Sequence, residues 1–342
     1  MKQVVVHGAG QVGLSEVAKP SLRANGVLTQ TLYSVISTGT EAWTVEGQAG
    51  ADQRPNQVLG HSNCGRVLEV GPDCAKPVVP GDLVACSGMQ MATHGEYCSV
   101  PRNMFAPVPA GVEPVEAAFA TLGSNSMHGV RQGRIELGDK VVVVGTGPIG
   151  QMAAQLARLS GGRAMVIGHG NEMRLELARR LGAEEVLLSS EADPVEAVMG
   201  YTEGLGADVV LMCAAPKGSG IMGQCLDMVR KNGRIVVVGL AELDFPFVQW
   251  QRKEAELLVS RAYGPGRHDP SYEEKGIDYP SNYVRWTLNR NMQEFLQLLA
   301  EKKVDVKSLI SHTFPIGEAE AAFDQVVNHR DEVVSVVLQY DG

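Results

Sequence analysis

The sequence predicts an α/β protein in which a compact β-rich part accompanies a doubly wound parallel sheet. Residues 1–110 contain short apolar or alternating runs that glycine and proline interrupt, which is typical of a β-rich domain. From Lys140 onward, strands alternate with amphipathic helices, which is the pattern of a parallel sheet with crossover helices. A chain of 342 residues is also long for one domain, so two domains are expected.

Five strands and one helix are predicted in the first part of the chain. The strands are expected at Val4–Val6, Gly26–Val35, Gly65–Val70, Asp82–Ala85 and Glu96–Val100. Pro114–Gly133 is predicted to be a helix that leads towards the central strand.

Val141–Gly150 is the stretch around which the second part is organised. Four consecutive valines predict a strand buried on both faces, and they run directly into Gly145-Thr146-Gly147-Pro148-Ile149-Gly150, a G-x-G-x-x-G motif. Gln151–Ser160 then carries apolar residues at helical spacing. In this setting Gly145 permits a tight turn, Gly147 lets backbone amides approach a pyrophosphate, and Gly150 lets the helix pack on the strand. The motif predicts a dinucleotide site; a purely structural turn is the alternative.

The remaining strands and helices of the second part alternate in the same way. Further strands are predicted at Arg163–Ile167, Glu185–Leu188, Ala207–Cys213, Arg234–Leu240 and Glu256–Tyr263. Helices are predicted at Glu172–Leu181, Pro194–Tyr201 and Gly220–Val229, with a turn at Lys231-Asn232-Gly233. Six strands fit a nucleotide-binding sheet, with the cofactor at the carboxyl ends of the strands.

Ala262–Asn291 is an irregular stretch rich in glycine, proline and tyrosine. A loop of this length is either a binding loop that covers the cleft or a surface for subunit packing, and the sequence favours neither. Arg267 in this loop is a candidate contact for a phosphate or substrate, although a solvated arginine is the simpler expectation. Helices at Met292–Glu301 and Glu318–Asn328 and a strand at Val333–Leu338 are predicted to close the chain.

Composition excludes several classes of protein. The net charge of −9 without a basic stripe argues against a nucleic-acid partner. No apolar run approaches the roughly 18 residues that a membrane span needs, and the apolar part of the N-terminus is too short for a signal peptide. Six scattered cysteines without a C-x-x-C motif indicate a reduced, cytoplasmic protein.

The chain as a whole resembles the medium-chain dehydrogenase/reductase family, which includes the alcohol dehydrogenases. Several segments carry the resemblance in the family's order: Ser37–Glu41 at the first catalytic loop, Leu59–Ser62 with Gly65–Val67 and Glu69–Gly71 as the G-H-E…G-x-V…V-G segment, Gly81–Val84 as the G-D-x-V turn, and Val306–Phe314 with Glu318–Phe323 at the end. The resemblance implies a GroES-like catalytic domain over residues 1–123, a Rossmann NAD(P)-binding domain over residues 124–262, and a long loop with a return to the catalytic domain over residues 263–342.

The chain departs from the family at the zinc ligands. Zinc-dependent members have a cysteine where Glu41 stands; His61 retains the histidine of the G-H-E motif, but Ser62 replaces its glutamate. The third ligand position falls near Thr121–Gly123, which contains no Cys, Glu, Asp or His, whereas a catalytic zinc takes three protein ligands. Met89–Gly95 also lacks the cysteines of the family's structural zinc lobe. We therefore expect an enzyme without zinc.

Without a Lewis acid, a side chain must balance hydride transfer by moving a proton. Glu41 and His61 stand where the family places its reacting centre, so they are the candidate catalytic residues. The alternative is that Glu41 caps a turn and His61 is a hydrogen-bonded pocket residue. Candidate substrate-binding residues are Thr40, Trp43 at the family's hydroxyl-relay position, Tyr97 and Asn125; His94 is a weaker candidate, expected as a loop residue.

The residue at the end of the second predicted strand of the Rossmann domain indicates which nicotinamide cofactor the protein prefers. NAD-preferring members carry an acidic residue there, and His169 stands at that position in this chain. No carboxylate remains to repel a 2′-phosphate, which His169, Asn171 and Arg174 are placed to contact. This favours NADP(H) over NAD(H). Backbone contacts to the cofactor are also expected from Ala214, Gly239 and Leu240, which follow later strands.

The sequence thus predicts a zinc-independent NAD(P)(H)-dependent oxidoreductase that interconverts a secondary alcohol and a ketone. The substrate is expected to be a polar small molecule, sugar- or cyclitol-like, because the segment Tyr263–Trp286 and the Ser37–Glu41 loop resemble a branch of the family associated with such compounds. The alternatives are a quinone or enone reductase of the same superfamily and a non-catalytic NADP(H)-binding redox sensor. An exposed edge on the apolar fifth and sixth strands predicts a homodimer.

Overall fold

The computed structural model describes residues 1–8, 10–47, 56–215, 220–240 and 247–341. The chain forms two compact units, Met1–Ser124 together with Tyr263–Gly342, and Asn125–Ala262. The three-part domain division given above stays a prediction.

The described residues form both strands and helices, numbered in chain order. The strands are β1 (Lys2–Gly8), β2 (Gln11–Glu16), β3 (Gly26–Ile36), β4 (Gln57–Val58), β5 (Ser62–Val70), β6 (Leu83–Ser87), β7 (Tyr97–Pro101), β8 (Phe105–Pro107), β9 (Lys140–Val144), β10 (Arg163–Gly168), β11 (Glu185–Leu188), β12 (Ala207–Met212), β13 (Val229–Val237), β14 (Glu256–Val259), β15 (Ile310–Pro315) and β16 (Ser335–Gln339). The helices are α1 (Thr40–Val45), α2 (Pro114–Ala117), α3 (Ala120–Gly133), α4 (Pro148–Leu159), α5 (Glu172–Arg180), α6 (Pro194–Tyr201), α7 (Ile221–Met228), α8 (Phe247–Lys253), α9 (Pro270–Glu273), α10 (Leu288–Ala300) and α11 (Ala319–Asn328).

The second unit is a doubly wound parallel sheet. Its strand order is β11-β10-β9-β12-β13-β14, and every pairing between neighbours is parallel. The order reverses beside β9, so the carboxyl ends of β9 and its neighbours form the crevice where such sheets bind ligands. Val141, Val142 and Val143 are fully buried, as the run of valines predicted. The predicted α/β class is confirmed.

The first unit consists of two sheets. One has the order β2-β1-β4; the other has the order β15-β16-β3-β5-β6-β8, with β7 paired to β3. β16 pairs antiparallel with β3, and β15 pairs parallel with β16, so the end of the chain completes the sheet that the beginning started. A buried apolar cluster unites Val4, Ile36, Ala42, Phe323 and Leu338. This core holds α1 and β3 in place beneath the candidate site.

The structure corrects two predicted boundaries. The predicted turn at Lys231–Gly233 is a bulge inside β13, where the register with β12 shifts between Ala207 and Val209. Val229 is fully buried and anchors the strand before the bulge. The predicted helix over Pro114–Gly133 is two helices, because Phe119 N bonds to Glu116 O, three residues back, between α2 and α3.

The stretch after β14 is shorter and more ordered than predicted. β14 ends at Val259, and α10 already begins at Leu288, which is fully buried. Between them, Tyr272 is also fully buried, and its carbonyl accepts a hydrogen bond from Asn103 Nδ2 at 3.1 Å. Arg102 Nε donates to Gly276 O at 2.6 Å. The segment is therefore a packed part of the first unit.

β14 lies at one edge of the parallel sheet, and Val259 at its end is 60% exposed. The apolar edge strand on which the predicted homodimer depends is thus present, and the dimer itself stays a prediction. Within the described residues, no helix is both long enough and apolar enough to cross a membrane.

Candidate active site

Glu41 is the centre of the polar cluster in the first unit. It lies in the first turn of α1 and is only 4% exposed. Its Oε2 accepts a hydrogen bond from Ser37 N at 2.7 Å, and its Oε1 accepts one from Gly60 N at 2.8 Å. Burial alone would raise the pKa of Glu41, but His94, His61 and the Ser37 amide together lower it to about 2. Glu41 is therefore a carboxylate at any physiological pH and does not serve as a proton donor.

His94 is the third group that binds this carboxylate. Its Nε2 lies 3.0 Å from Glu41 Oε1, and its Nδ1 lies 2.7 Å from Ser34 Oγ. Because the carboxylate can only accept, Nε2 carries a hydrogen. Ser34 Oγ in turn lies 2.8 Å from Tyr340 Oη. His94, expected as a loop residue, is thus fully buried in a continuous hydrogen-bonded chain from α1 to the end of the molecule.

The backbone explains how this chain is assembled. Val4 N donates to His94 O at 2.8 Å, and His94 N donates to Leu59 O at 2.9 Å. Gly60 has φ +103°, and a Cβ at this position would lie 2.1 Å from His94 N. Only glycine permits both this conformation and this approach. Gly60 therefore brings the residue before His61 against the backbone that carries His94.

His61 lies beside the carboxylate without a direct hydrogen bond to it. Its Nδ1 is 3.9 Å from Glu41 Oε2, and its side chain is 15% exposed. Burial lowers the pKa of His61 below its usual 6.5; the charge of Glu41 opposes this shift, and His94 and Arg267 add to it. The structure thus brings the two predicted catalytic residues together, with His61 as a neutral imidazole at neutral pH.

Arg267 belongs to the same neighbourhood and is not a solvated loop arginine. Its side chain is 16% exposed, and its Nη1 lies 2.9 Å from Glu273 Oε1. Tyr263 Oη donates to the same oxygen at 2.8 Å. The other terminal nitrogen of Arg267 lies 3.6 Å from Met89 Sδ. Arg267 is thereby held close enough to His61 for its charge to act on it.

The predicted substrate-binding residues are more scattered. Thr40 is exposed and Trp43 half-buried, and both lie on α1 with Glu41. Tyr97 lines a separate cavity of about 400 Å³, with the Lys19 ammonium 4.4 Å from the centre of its ring; neither Glu41 nor His61 lines that cavity. Asn125 belongs to the second unit, and its buried Oδ1 has no hydrogen-bond partner among the residues described. Of these four residues, only Thr40 and Trp43 lie on the same helix as the catalytic candidate Glu41.

The G-x-G-x-x-G loop of the second unit has the geometry that the motif predicted. Gly145 has φ +114°, and a Cβ on Gly150 would lie 2.0 Å from Gly145 O, so neither position accepts a side chain without strain. A Cβ on Gly147 would meet nothing within 4 Å, which leaves open space before α4. Gly147 caps α4 without a side-chain hydrogen bond, and Pro148 begins the helix. The amides at this helix start suit a pyrophosphate.

The remaining cofactor candidates lie at the same edge of the sheet. Ile149 is half-buried in the first turn of α4, and Thr146 is buried with its methyl group against Gly168. Gly239 N donates to Met212 O at 2.9 Å, and a Cβ on Gly239 would lie 1.9 Å from Ala214 O. Leu240 next to it is 44% exposed.

The residues predicted to read the 2′-phosphate follow β10. His169 is exposed, and its Nδ1 lies 3.2 Å from Ser189 Oγ. Asn171 is buried and caps α5, because its Oδ1 accepts from Arg174 N at 3.1 Å. Arg174 is half-buried. His169 is thus the most accessible of the three, while the side-chain oxygen of Asn171 serves the helix.

Comparison with known proteins identifies the group to which these two sites belong. The zinc-binding dehydrogenase family matches residues 148–274. Sorbitol dehydrogenase of Halalkalibacterium halodurans is 28% identical over 362 aligned residues, covering 97% of this chain and 96% of its own. Alcohol dehydrogenase TADH from Thermus sp. ATN1 superposes with a TM-score of 0.82 at 24% identity, over the full length of both chains. The chain belongs to the medium-chain dehydrogenase/reductase superfamily. This NAD(P)-dependent dehydrogenase accordingly has the GroES-like and Rossmann folds.

One solved structure of similar fold contains a nicotinamide cofactor. A zinc-binding dehydrogenase from Sinorhizobium meliloti 1021 was solved with NADP bound, and it superposes with a TM-score of 0.80 at 22% identity over 99% of this chain and 98% of its own. The open space at Gly147 and the uncapped start of α4 fit a nicotinamide dinucleotide.

The donor atoms near Glu41 do not fit a catalytic zinc. Both oxygens of Glu41 already accept N–H groups, and Thr121 at the third ligand position donates its hydroxyl to Cys86 O at 3.3 Å. In the part of the chain that the structure describes, no three His, Cys, Asp or Glu side chains are grouped as a metal site would need.

Sequence reasoning missed the hydrogen-bonded chain that leads from Glu41 through His94 and Ser34 to Tyr340. Ser34 lies inside a strand, Tyr340 lies 299 positions beyond Glu41, and His94 was expected as a loop residue. No motif joins these positions, because three separate segments bring them together. The one available signal was that a buried carboxylate needs hydrogen-bond donors, which a histidine in the same domain can supply.

Proposed function

We propose that this dehydrogenase interconverts a secondary alcohol and a ketone on a polyol or sugar-like substrate, without zinc and with NADP(H) preferred to NAD(H). The observation that carries the proposal is the pairing of a part-exposed neutral His61 with the buried Glu41 carboxylate, 3.9 Å apart. The likeness over almost the whole chain to sorbitol dehydrogenase supports the substrate class.

His61 is the proton acceptor of the alcohol in this proposal. The nicotinamide, when bound, accepts or supplies the hydride. As the hydride leaves the carbon, the hydroxyl proton passes to the imidazole, which the lowered pKa of His61 keeps neutral and ready at pH 7. The imidazolium that forms is stabilised by the Glu41 carboxylate, since unit charges about 4 Å apart interact by about 4 kcal/mol at an effective dielectric constant of about 20. Ketone reduction reverses these steps.

A substrate panel tests the proposed reaction. Purified protein with NADPH or NADP⁺ is offered polyols, keto-sugars, simple secondary alcohols, quinones and enones, and absorbance at the nicotinamide band is followed. Turnover of polyols or keto-sugars supports the proposal. Turnover of quinones or enones alone points to the C=C reductase instead, and stoichiometric cofactor binding without any turnover points to a redox sensor.

Metal content tests the zinc-independent part of the proposal. Protein purified without chelators is expected to contain far less than one zinc per chain, and its activity is expected to be unchanged by added zinc or by a chelator, because Glu41 already satisfies three N–H donors. One tightly bound zinc per chain whose removal abolishes turnover would show that Glu41 and His61 are metal ligands.

Cofactor preference is tested at His169. The wild-type enzyme is expected to bind NADPH more tightly than NADH, because His169 stands at the position after β10 where NAD-preferring members carry a carboxylate. The substitution His169→Asp is expected to shift the ratio of the two Kd values towards NADH by about tenfold or more. Arg179→Gln on the exposed face of α5 is the matched control and should leave the ratio unchanged. NADH binding the wild-type enzyme ten times more tightly than NADPH would contradict the preference.

A further inference from the structure

A second polar cavity lies in the first unit, along the outer face of α10, and has a volume of about 570 Å³. It is lined by Lys76, Asn103, Asp278, Arg285, Trp286, Asn289, Arg290, Gln293, Glu294 and Gln297. None of these residues is a catalytic, substrate-binding or cofactor-binding candidate. The cavity is therefore a site that the proposed reaction does not use.

Lys76 contributes the most unusual group of this cavity. Its Nζ donates to Phe105 O at 2.5 Å and to Asn289 Oδ1 at 2.9 Å, and it lies 4.8 Å from the centre of the Phe105 ring. All of these partners are uncharged. Among the described residues, no carboxylate lies within ion-pair distance of this ammonium group. Two acceptors also leave the third N–H of the ammonium available.

Burial of this ammonium group without a paired carboxylate makes its charged form unfavourable in free energy. Desolvation lowers the pKa of Lys76 from its usual 10.5 to about 7. The charged or titratable groups that act on it or share the cavity are Cys74, Cys86, Arg102, Asp278, Arg285, Arg290 and Glu294. The charge of Asp278 opposes this lowering of the pKa, but its carboxylate is paired with Arg290 Nη2 at 2.6 Å and not with Lys76. A bound anion would supply the missing counter-charge.

The walls of the cavity are fixed by hydrogen bonds. Asn289 Nδ2 donates to Asn103 O at 2.9 Å and to Phe105 O at 2.7 Å, while its Oδ1 accepts from Gln293 Nε2 at 2.6 Å as well as from Lys76. This amide has no capacity left for a ligand. It positions the Lys76 ammonium and holds α10 against the strand segment around Phe105.

Arg285 is an exposed cation that also lines the cavity. The Arg285 guanidinium lies 4.0 Å from the centre of the Trp286 ring, a stacking that limits its freedom. Arg290, in contrast, is engaged by Asp278, Tyr279 O and Val284 O. Glu294 also lines the cavity, and its carboxylate opposes a bound anion by like-charge repulsion.

We propose that this cavity binds a small oxyanion, the phosphate or carboxylate group of a metabolite, with Lys76 and Arg285 as the residues that receive it. Arginine and lysine donate charge-assisted hydrogen bonds to such groups, and these are stronger where water is excluded. Neither His61 nor Glu41 lines this cavity, so anion binding here does not require the proposed reaction.

Calorimetric titration of the NADPH-saturated enzyme tests the proposal. Saturation with NADPH prevents the anion from binding at the G-x-G-x-x-G loop. Inorganic phosphate and malonate are titrated separately at constant ionic strength, which shows whether the site prefers phosphate or dicarboxylate. Saturable binding of either anion is expected. Malonate, whose charge changes little over this range, should bind more tightly at pH 6.5 than at pH 8.5, because a larger fraction of Lys76 is protonated at the lower pH.

Variants assign the binding to this cavity. Lys76→Met is expected to weaken it by about tenfold or more. Arg285→Met removes an exposed side chain, so it should weaken binding without affecting folding; Lys275→Met, an exposed lysine on the same segment, should leave it unchanged. Absence of saturable binding, or wild-type binding in both Lys76→Met and Arg285→Met, would overturn the proposal.

Discussion

Replacement of His61 by glutamine is expected to lower kcat for alcohol oxidation by about 10²–10⁴-fold, the usual range for loss of a positioned acid or base. Glutamine retains a polar side chain of similar length but cannot take up a proton. The Kd of NADPH is expected to be unchanged, because the G-x-G-x-x-G loop belongs to the second unit and His61 to the first. Stopped-flow measurement of hydride transfer and fluorescence titration of NADPH separate the two quantities.

The pH profile gives an independent readout for His61. The rate of alcohol oxidation should fall as pH drops through the pKa of His61, which lies below 6.5, because only the neutral imidazole accepts a proton. This limb should vanish in His61→Gln. His329→Gln is the matched control, since the side chain of His329 is half exposed and lies 3.5 Å from the carboxylate of Asp324. A variant that keeps both the wild-type kcat and the acidic limb would exclude His61 as the acceptor.

The second unit was predictable because its determinants are local. The valine run, the glycines that follow it and the helix start at Pro148 are adjacent in sequence, and each limits the backbone for a reason that can be stated residue by residue. The predicted starts of β13 and α10 were wrong, because long-range contacts determine where these two elements begin. Buried Val229 extends β13 backward, and the buried Leu288 and Asn289 start α10 within a polar stretch.

The first unit shows the limit of the same reasoning. Glu41 and His61 were identified from their positions in a resemblance, but the groups that set their charge states come from three distant segments. The backbone of His94 lies so close to residue 60 that only glycine fits there. Tyr340 follows β16 and is brought to the site by the pairing of β16 with β3. Because pairing of distant strands creates these contacts, no local spacing encodes them. Arg267 was likewise discounted because its partner Glu273 is visible only after the segment folds.

Replacement of Glu41 by glutamine is expected to lower the free energy of unfolding by about 2–3 kcal/mol at pH 7. Glu41 accepts three N–H donors, from Ser37, Gly60 and His94. The amide of glutamine must point its NH₂ group at one or more of these donors, so at least one buried N–H loses its acceptor. The variant also removes the charge that stabilises an imidazolium at His61, and kcat should fall with it.

The dependence of this loss on pH tests its electrostatic origin. The pKa of Glu41 is about 2 in the folded chain against 4.5 ordinarily, so its stabilising contribution is fully present above pH 4.5 and is lost as pH falls towards 2. The difference in urea unfolding between wild type and Glu41→Gln should therefore narrow below pH 4.5. Glu320 is an exposed carboxylate on α11, so Glu320→Gln should have the same free energy of unfolding as the wild type at pH 7 and at pH 3. A difference in the free energy of unfolding that stays constant from pH 7 to pH 3 would mean that Glu41 stabilises the fold through packing and not through its charge. Glu41 could then not be said to stabilise an imidazolium at His61.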